Sequence, residues 1–141
     1  MYYVDTSVLV AALVQEAHSD RVVDWLGEQA PRTLYASDWS VTEFSSAISV
    51  KMRTGQIGAD QRAFALSAFA ELMEEVFSIL AISGSHFRLA ARFSDRHELS
   101  IKAGDALHMA IASDNRVSLC TLDRRLAKAC LALGTMTHLL R

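Results

Sequence analysis

One stretch of sequence, residues 104–113, constrains the fold of this chain more than any other. It reads GDALHMAIAS, and nearly every position after Asp105 is apolar. A helix that is apolar almost all round must be covered by other elements on every side, which requires a layered domain with a substantial core. Asp105 puts a charged group at the head of this buried helix, so its presence there needs a chemical explanation.

The composition indicates one folded domain. The chain has 141 residues, of which 51% are hydrophobic and 21% are charged. That is enough apolar material for a core and too little charge for a disordered chain. Because there is one proline and no linker-like run, we expect a single domain over residues 1–141.

The sequence predicts a soluble cytoplasmic protein with no membrane partner. The N-terminal apolar run lacks a basic region and is interrupted by Asp5, unlike a signal peptide. No apolar stretch is long enough to span a bilayer. Cys120 and Cys130 form no CxxC pair, so neither a disulfide nor a zinc site is expected. The formal net charge is −2, so any contact with nucleic acid must come from local basic patches.

Strands and helices alternate along the chain. Strands are predicted at 1–4, 32–37, 76–82, 116–122 and 136–140. Helices are predicted at 6–15, 18–29, 38–55, 59–75, 85–99, 104–113 and 124–133. Some strands, such as 76–82, are continuously apolar, which is typical of strands covered on both faces. We therefore predict an α/β fold in which helices flank a parallel sheet.

Four acidic residues lie in apolar surroundings, whereas the others fit exposed helix positions or turns. The four are Asp5, Glu43, Asp105 and Asp123. Asp5 and Asp123 each follow a predicted strand, so we expect them at the rim of the sheet where ligands bind in such folds. Each acid also has a structural alternative: the three aspartates could be helix N-caps, and Glu43 could complete a capping box with Ser40.

Taken together, the four acids favour a metal site. Caps accept Ser, Thr or Asn about as well as Asp, so capping does not explain a carboxylate at every one of these positions. If the carboxylates converge, two charges 4 Å apart repel by about 4 kcal/mol at an effective dielectric of about 20. A cation would remove that repulsion, and an all-oxygen site suits Mg²⁺ or Mn²⁺ better than Zn²⁺. This would explain the charge at the head of the buried helix.

The segments around these acids resemble the PIN domain, and most closely the VapC-type toxin ribonucleases of toxin–antitoxin pairs. The resemblance is carried by the opening YVDTSVLV, an isolated glutamate on a mid-chain helix, DALHMAIA and LCTLD. It extends from Tyr3 to about Leu139. It implies a three-layer α/β/α sandwich with a central, mostly parallel sheet of about five strands.

The resemblance also implies a chemistry and partners. The four acids would form the catalytic site, with one or two Mg²⁺ or Mn²⁺ ions, and would hydrolyse RNA phosphodiester bonds. Thr121 matches a family hydroxyl that supports the site, and Thr6 and Ser7 follow the first aspartate as they do in the family. A homodimer is implied, together with a small antitoxin protein whose tail blocks the active-site groove.

Basic and hydroxyl side chains next to the acids are candidates for RNA binding. The candidates are Arg124 and Arg125, which directly follow Asp123, and the hydroxyl residues Thr6, Ser7 and Thr121.

Other polar side chains are expected to be structural. His108 lies one helical turn after Asp105, and we interpret it as a core residue with a satisfied hydrogen bond and no catalytic role. Arg88, Arg92 and Arg96 recur every four residues, and we interpret them as a solvated helix face, with phosphate contact as the alternative.

Two other functions are consistent with parts of the sequence. The domain could bind RNA or act as a scaffold without catalysis, with a structural metal held by the acids. It could instead be an α/β enzyme in which Asp5 accepts a phosphoryl group, although that function leaves Glu43 and Asp105 without roles.

Large apolar residues on the early helices are candidates for the antitoxin groove. They are Trp25, Trp39, Met52, Phe64 and Phe69. Any that face solvent in the isolated domain would suit an amphipathic helix.

Overall fold

The computed structural model describes residues 1–141, and a five-stranded sheet forms its centre. The strands are β1 (Tyr2–Val4), β2 (Leu34–Ser37), β3 (Phe77–Leu80), β4 (Ser118–Thr121) and β5 (Thr137–Leu139). Their order is β3-β2-β1-β4-β5, and every neighbouring pair is parallel. The predicted parallel sheet is confirmed.

Seven α-helices connect and cover the strands. They are α1 (Thr6–Leu13), α2 (Ser19–Gly27), α3 (Asp38–Arg53), α4 (Ala59–Glu75), α5 (Gly84–Ser94), α6 (Ala103–Asp114) and α7 (Arg124–Leu133). The helix predicted at 85–99 is shorter than expected: α5 ends at Ser94, and a separate 3₁₀ turn spans His97–Leu99. No helix is both long enough and apolar enough to cross a membrane.

The core lies in two clusters, one on each face of the sheet. Buried residues of α1, α2, α3 and α4 form one cluster, and those of α5, α6 and α7 form the other. Residues 106–112 of α6 are all buried, as the apolar sequence predicts. The fold is therefore a three-layer α/β/α sandwich, and α6 is its most enclosed helix.

One expectation about the sheet is wrong. The apolar run 76–82 was predicted to be covered on both faces, but β3 is an edge strand and Ile79 in it is 46% exposed. A continuously apolar run therefore does not show that β3 is buried on both faces. An edge strand lacks one neighbouring strand and part of the cover that the central strand β1 has.

The large apolar residues of the early helices divide between core and surface. Trp25 and Phe69 are buried at 5% and 6% exposure, whereas Phe64 on α4 is 67% exposed. Trp39 and Met52 are half-buried. Of the five candidates for a groove, only Phe64 is fully on the surface. The two cysteines are free and buried.

The topology brings two of the predicted site residues to one edge. Strands β1 and β4 are direct parallel neighbours, with Val4 opposite Cys120. Asp5 follows β1 directly, and Asp123 follows β4 after one intervening residue. Their side chains therefore lie at the same carboxyl edge of the sheet, as expected.

Candidate active site

A pocket of about 260 Å³ at this edge contains all four predicted acids. Its walls are formed by Asp5, Thr6, Ser7, Glu43, Ser46, Ala47, Asp105, His108 and Asp123. No lysine or arginine lines it. Carboxylates contributed by four separate parts of the chain thus share one pocket without a cationic side chain, apart from any charge on His108.

Asp5 is the most buried of the acids, at 3% exposure. It is the N-cap of α1, with Oδ1 accepting the Val8 N–H at 3.3 Å. The Ser7 hydroxyl also donates to Oδ1, and the Thr121 hydroxyl donates to Oδ2. Burial raises the pKa of Asp5, although His108 and these hydrogen bonds oppose the rise. Asp5 therefore combines a capping role with a place in the pocket.

Asp123 also combines the two roles that the sequence left open. It is the N-cap of α7, and its Oδ1 accepts the backbone N–H groups of Arg125 at 2.8 Å and Leu126 at 3.3 Å. Its backbone N–H donates to Thr121 Oγ1 at 3.0 Å. Oδ1 alone makes the capping bonds, so the second carboxylate oxygen remains available to a ligand.

Glu43 lies in the second turn of α3 and is half-buried. Its Oε1 accepts the Thr6 hydroxyl at 2.7 Å and is in close contact with His108 Nε2. The alternative of a capping box with Ser40 is wrong for Glu43, because Ser37 is the N-cap and Ser40 completes the box with it. Burial alone would raise the pKa of Glu43, but His108 and Thr6 outweigh it, so the pKa is lowered.

Asp105 is the third residue of α6, and its N-cap is Lys102. The alternative in which Asp105 caps the helix is therefore wrong. Burial raises the pKa of Asp105 to about 6, the charges of Asp5, Glu43 and Asp123 add to the rise, and His108 opposes it. Asp105 is thus the acid whose pKa is raised by repulsion from the other three carboxylates, in addition to burial.

The donor set fits a hard divalent cation. Carboxylate oxygens are the ligands that Mg²⁺ and Mn²⁺ prefer. The charges of Asp5, Glu43 and Asp123 add to the burial that raises the pKa of Asp105, and a bound cation would offset them. No three acidic, histidine or cysteine side chains are grouped tightly enough to hold an ion together in this conformation. The carboxylate of Asp105 differs from those of Asp5 and Asp123 in that it caps no helix.

The geometry disfavours Asp5 as a phosphoryl acceptor. Both of its oxygens accept hydroxyl hydrogen bonds, and only 3% of its surface is exposed. A nucleophile needs an accessible oxygen in line with the phosphorus atom. Asp5 is instead held as a fixed acceptor at the base of the pocket.

Comparisons with known proteins identify the family. The PIN domain family matches residues 2–131. This chain belongs to the PIN domain family. A comparison with curated protein sequences finds no significant match.

Solved structures share the whole PIN fold with this chain. Mycobacterium tuberculosis VapC20, described as a sarcin–ricin loop cleaving toxin, has a TM-score of 0.74 at 16% identity, covering 96% of this chain and 97% of that chain. Rickettsia felis VapBC2, solved with a promoter DNA fragment, has a TM-score of 0.71 at 15% identity and covers 99% and 98%. Neisseria gonorrhoeae FitAcB has a TM-score of 0.67 at 17% identity and covers 97% and 96%. At these identities the likeness establishes the fold.

The hydroxyl residues of this PIN domain support the acids directly. Thr121 is fully buried, so its hydroxyl serves Asp5 and is not exposed to a substrate. Ser7 donates to Asp5 and accepts the Leu122 N–H at 3.1 Å. The expectation that Thr121 supports the site agrees with its contacts, but its predicted substrate contact does not agree with its burial.

The two predicted RNA-binding arginines lie beside the pocket. Arg124 and Arg125 line a second cleft of about 400 Å³ together with Lys102. This basic cleft shares Asp105 and Asp123 with the acid pocket. Because none of its three cationic side chains is in an ion pair, their charge remains available to a ligand.

His108 is the site residue that sequence reasoning missed. It is 1% exposed and hydrogen-bonded, as expected for a core histidine, but its partner is Glu43 in the acid pocket. The signal that could have found it is its spacing: residues three apart on a helix share a face, so His108 follows Asp105 toward the pocket. The predicted arginine stripe lines neither cleft. It also does not lie on one helix, because Arg88 and Arg92 are on α5 whereas Arg96 follows the end of that helix.

Proposed function

We propose that this PIN domain, over residues 1–141, is a Mg²⁺- or Mn²⁺-dependent endoribonuclease that hydrolyses RNA phosphodiester bonds. The observation that carries the proposal is the single pocket lined by four carboxylates and by no lysine or arginine. The adjoining cleft with three unpaired cationic side chains supports a polyanionic substrate.

Each acid has a role that follows from its contacts. Asp5, Asp105, Asp123 and Glu43 would hold the metal. When bound, the cation activates water as a nucleophile and stabilises negative charge on the leaving oxygen. Asp5 is held rigidly by hydroxyl donors. Glu43 has a lowered pKa, so it is ionised at neutral pH and suited to orient the attacking water.

Substrate RNA would lie across both clefts. Its phosphates would contact Arg124, Arg125 and Lys102, since cationic side chains supply most of the sequence-independent affinity for nucleic acid. The chain as a whole is weakly acidic, with a formal net charge of −2. RNA would therefore be held by this local cleft and not by the overall charge of the domain.

The biological role that we propose is that of a toxin held inactive by a cognate antitoxin protein, with the toxin as a homodimer. Support for the toxin role comes from similar solved structures, which include a sarcin–ricin loop cleaving toxin and a member of the VapBC family of toxin–antitoxin systems. The exposed Phe64 on α4 is a candidate contact for an apolar antitoxin segment.

Cleavage of a mixed RNA pool tests the proposal. The purified protein is assayed with Mg²⁺, with Mn²⁺ and with EDTA, beside Asp5→Asn and Asp105→Asn. Asp95→Asn, an exposed acid outside the pocket, is the matched control. We expect metal-dependent cleavage that both pocket variants lose and the control retains. Calorimetric titration with Mn²⁺ measures metal binding separately.

The outcomes separate the candidate functions. Cleavage that survives both pocket substitutions would refute the site. Binding of Mn²⁺ without cleavage of any RNA would favour the non-catalytic domain with a structural metal.

RNA binding is tested with the basic cleft. Arg124→Ala and Arg125→Ala should each raise KM for RNA. Each should also reduce by about one the slope of the logarithm of the binding constant against the logarithm of the salt concentration. Arg92→Ala on α5, an exposed arginine that lines neither cleft, should change neither quantity. Equal effects from all three variants would refute the assignment of the cleft.

A further inference from the structure

We propose that His108, oriented by Tyr3, is a positioning residue that holds the Glu43 carboxylate in the acid pocket. The inference rests on the proposed ribonuclease function, in which Glu43 acts on the attacking water or the metal. It gives a role to two buried polar side chains that the mechanism otherwise leaves unused.

A chain of side-chain hydrogen bonds leads from the base of α3 to Glu43. The hydroxyl of Ser37 is 2.7 Å from the hydroxyl of Tyr3. The Tyr3 hydroxyl is 2.7 Å from Nδ1 of His108, and Nε2 of His108 contacts Oε1 of Glu43. Ser37, Tyr3 and His108 are each at most 1% exposed, so water does not compete for these bonds.

The chemistry of the groups fixes the direction of the last bond in the chain. A carboxylate only accepts hydrogen bonds, so Nε2 of His108 carries the proton that it shares with Glu43. The bonds of the Tyr3 hydroxyl with Nδ1 of His108 and with the Ser37 hydroxyl can run in either direction, since a hydroxyl both donates and accepts. Burial raises the pKa of Tyr3 above its ordinary value, so the phenol stays protonated and can take part in both bonds.

The chain closes on the helix from which it starts. Ser37 is the N-cap of α3, and Glu43 lies in the second turn of the same helix. Between them the chain passes through Tyr3 on β1 and His108 on α6. Glu43 is thereby connected to the central strand β1 and to α6, the most enclosed helix of the fold.

Other contacts leave Glu43 little freedom. The Thr6 hydroxyl donates to Oε1 at 2.7 Å. On the other side, Oε2 would be only 2.5 Å from a Cβ built on Gly104, so this carboxylate oxygen occupies the space that the glycine leaves. Glu43 is therefore held at Oε1 by two donors, and His108 is the one that comes from the opposite face of the sheet.

Fixed geometry matters because a displacement of about 1 Å at a reacting group costs about 10²-fold in rate. We expect His108→Leu to lower kcat by about 10²-fold, with KM for RNA changed less than about twofold, because no RNA contact is removed. His108→Gln keeps an N–H donor and should recover part of the loss. Tyr3→Phe keeps the ring packing and should lower kcat about fivefold.

The experiment measures kcat and KM with Mg²⁺ for these variants, for Glu43→Gln and for the double variant His108→Leu/Glu43→Gln. If His108 acts through Glu43, the double variant is no slower than Glu43→Gln alone. His86→Leu is the matched control, because His86 is also buried and bonded to a carboxylate, Asp114, at 2.7 Å, but lines neither cleft. Its kcat should equal that of the wild type.

A second readout does not depend on activity. In EDTA, the imidazole N–H proton shared with Glu43 should give a downfield NMR resonance that His108→Leu abolishes, that Glu43→Gln shifts and that His86→Leu leaves unchanged. Urea unfolding establishes that each variant is folded under assay conditions.

The results distinguish this inference from the proposed function. A wild type that cleaves RNA, a slow Glu43→Gln and a folded His108→Leu with normal kcat would overturn the inference and leave the function standing. Additive effects in the double variant would also overturn it, because His108 would then act independently of Glu43. No cleavage by the wild type would overturn the proposed function, and the positioning role with it.

Discussion

Substitution of Gly104 by alanine provides a sharp test of the acid pocket. Gly104 is the second residue of α6, where alanine normally favours a helix by about 0.5–1 kcal/mol. At this position, however, a Cβ would lie 2.5 Å from Oε2 of Glu43 and 3.3 Å from two atoms of Trp39. The first distance is too short for any real contact, so either the carboxylate or the helix must move.

Both movements have a cost that can be estimated. Moving the carboxylate breaks hydrogen bonds to a charged group, worth about 1.5–3 kcal/mol each, with Thr6 and His108. Moving the helix overpacks the core at about 1–3 kcal/mol. Overpacking is the cheaper of the two movements, so after subtracting the helical preference for alanine we expect Gly104→Ala to lower the free energy of unfolding by up to about 2.5 kcal/mol.

Urea unfolding in EDTA measures this cost, and a double-mutant cycle identifies its source. In a Glu43→Ala background the clash with the carboxylate is absent, so Gly104→Ala should cost about 1–2 kcal/mol less than in the wild type. Gly27→Ala, at a helical glycine with nothing within 4 Å of its Cβ, is the control and should be neutral or stabilising. An equal cost in both backgrounds would refute the position assigned to Glu43.

Three further predictions concern the other acids. Because the pKa of Asp105 is raised from 3.8 to about 6 in the folded protein, its contribution to the stability of metal-free protein is complete below about pH 4 and is lost as pH rises from there through about 6. Unfolding free energies in EDTA at about pH 5 and about pH 7.5 check this. Asp105→Asn should reduce the difference between the two, part of which comes from the raised pKa of Asp5; an unchanged difference would contradict the prediction. Thr121→Val leaves Oδ2 of the buried Asp5 without its hydroxyl donor and should cost about 1–3 kcal/mol in urea unfolding; a neutral result would contradict that hydrogen bond. Mn²⁺ at about 100 times its Kd should stabilise the wild type by about 2.7 kcal/mol but leave the melting temperature of Asp5→Asn unchanged; equal stabilisation of both would contradict the site.

Local sequence patterns predicted the elements of this fold well. The helix at 59–75 and the helix at 124–133 have the predicted bounds, because periodic apolar positions and flanking glycine or aspartate mark their ends. The parallel sheet followed from alternating strands and helices. Where the prediction failed, the cause was tertiary: β3 is an edge strand, and its apolar sequence does not reveal its place in the sheet.

The candidate acids were found because each is a charged residue in apolar surroundings. Sequence alone could not decide between capping and chemistry, since a carboxylate at a strand end suits both. The structure shows that Asp5 and Asp123 do both, that Asp105 caps nothing, and that Glu43 lies outside its proposed capping box.

The sequence by itself determined which residues are apolar, about where helices and strands begin, and that four carboxylates lie in apolar surroundings. Local propensity and burial depend on residues close together in the chain, so they can be read there. Tertiary structure alone decided that His108 meets Glu43, 65 positions apart, and that Thr121 meets Asp5, 116 positions apart. Such pairs depend on strand order and helix packing, and no short-range pattern encodes them.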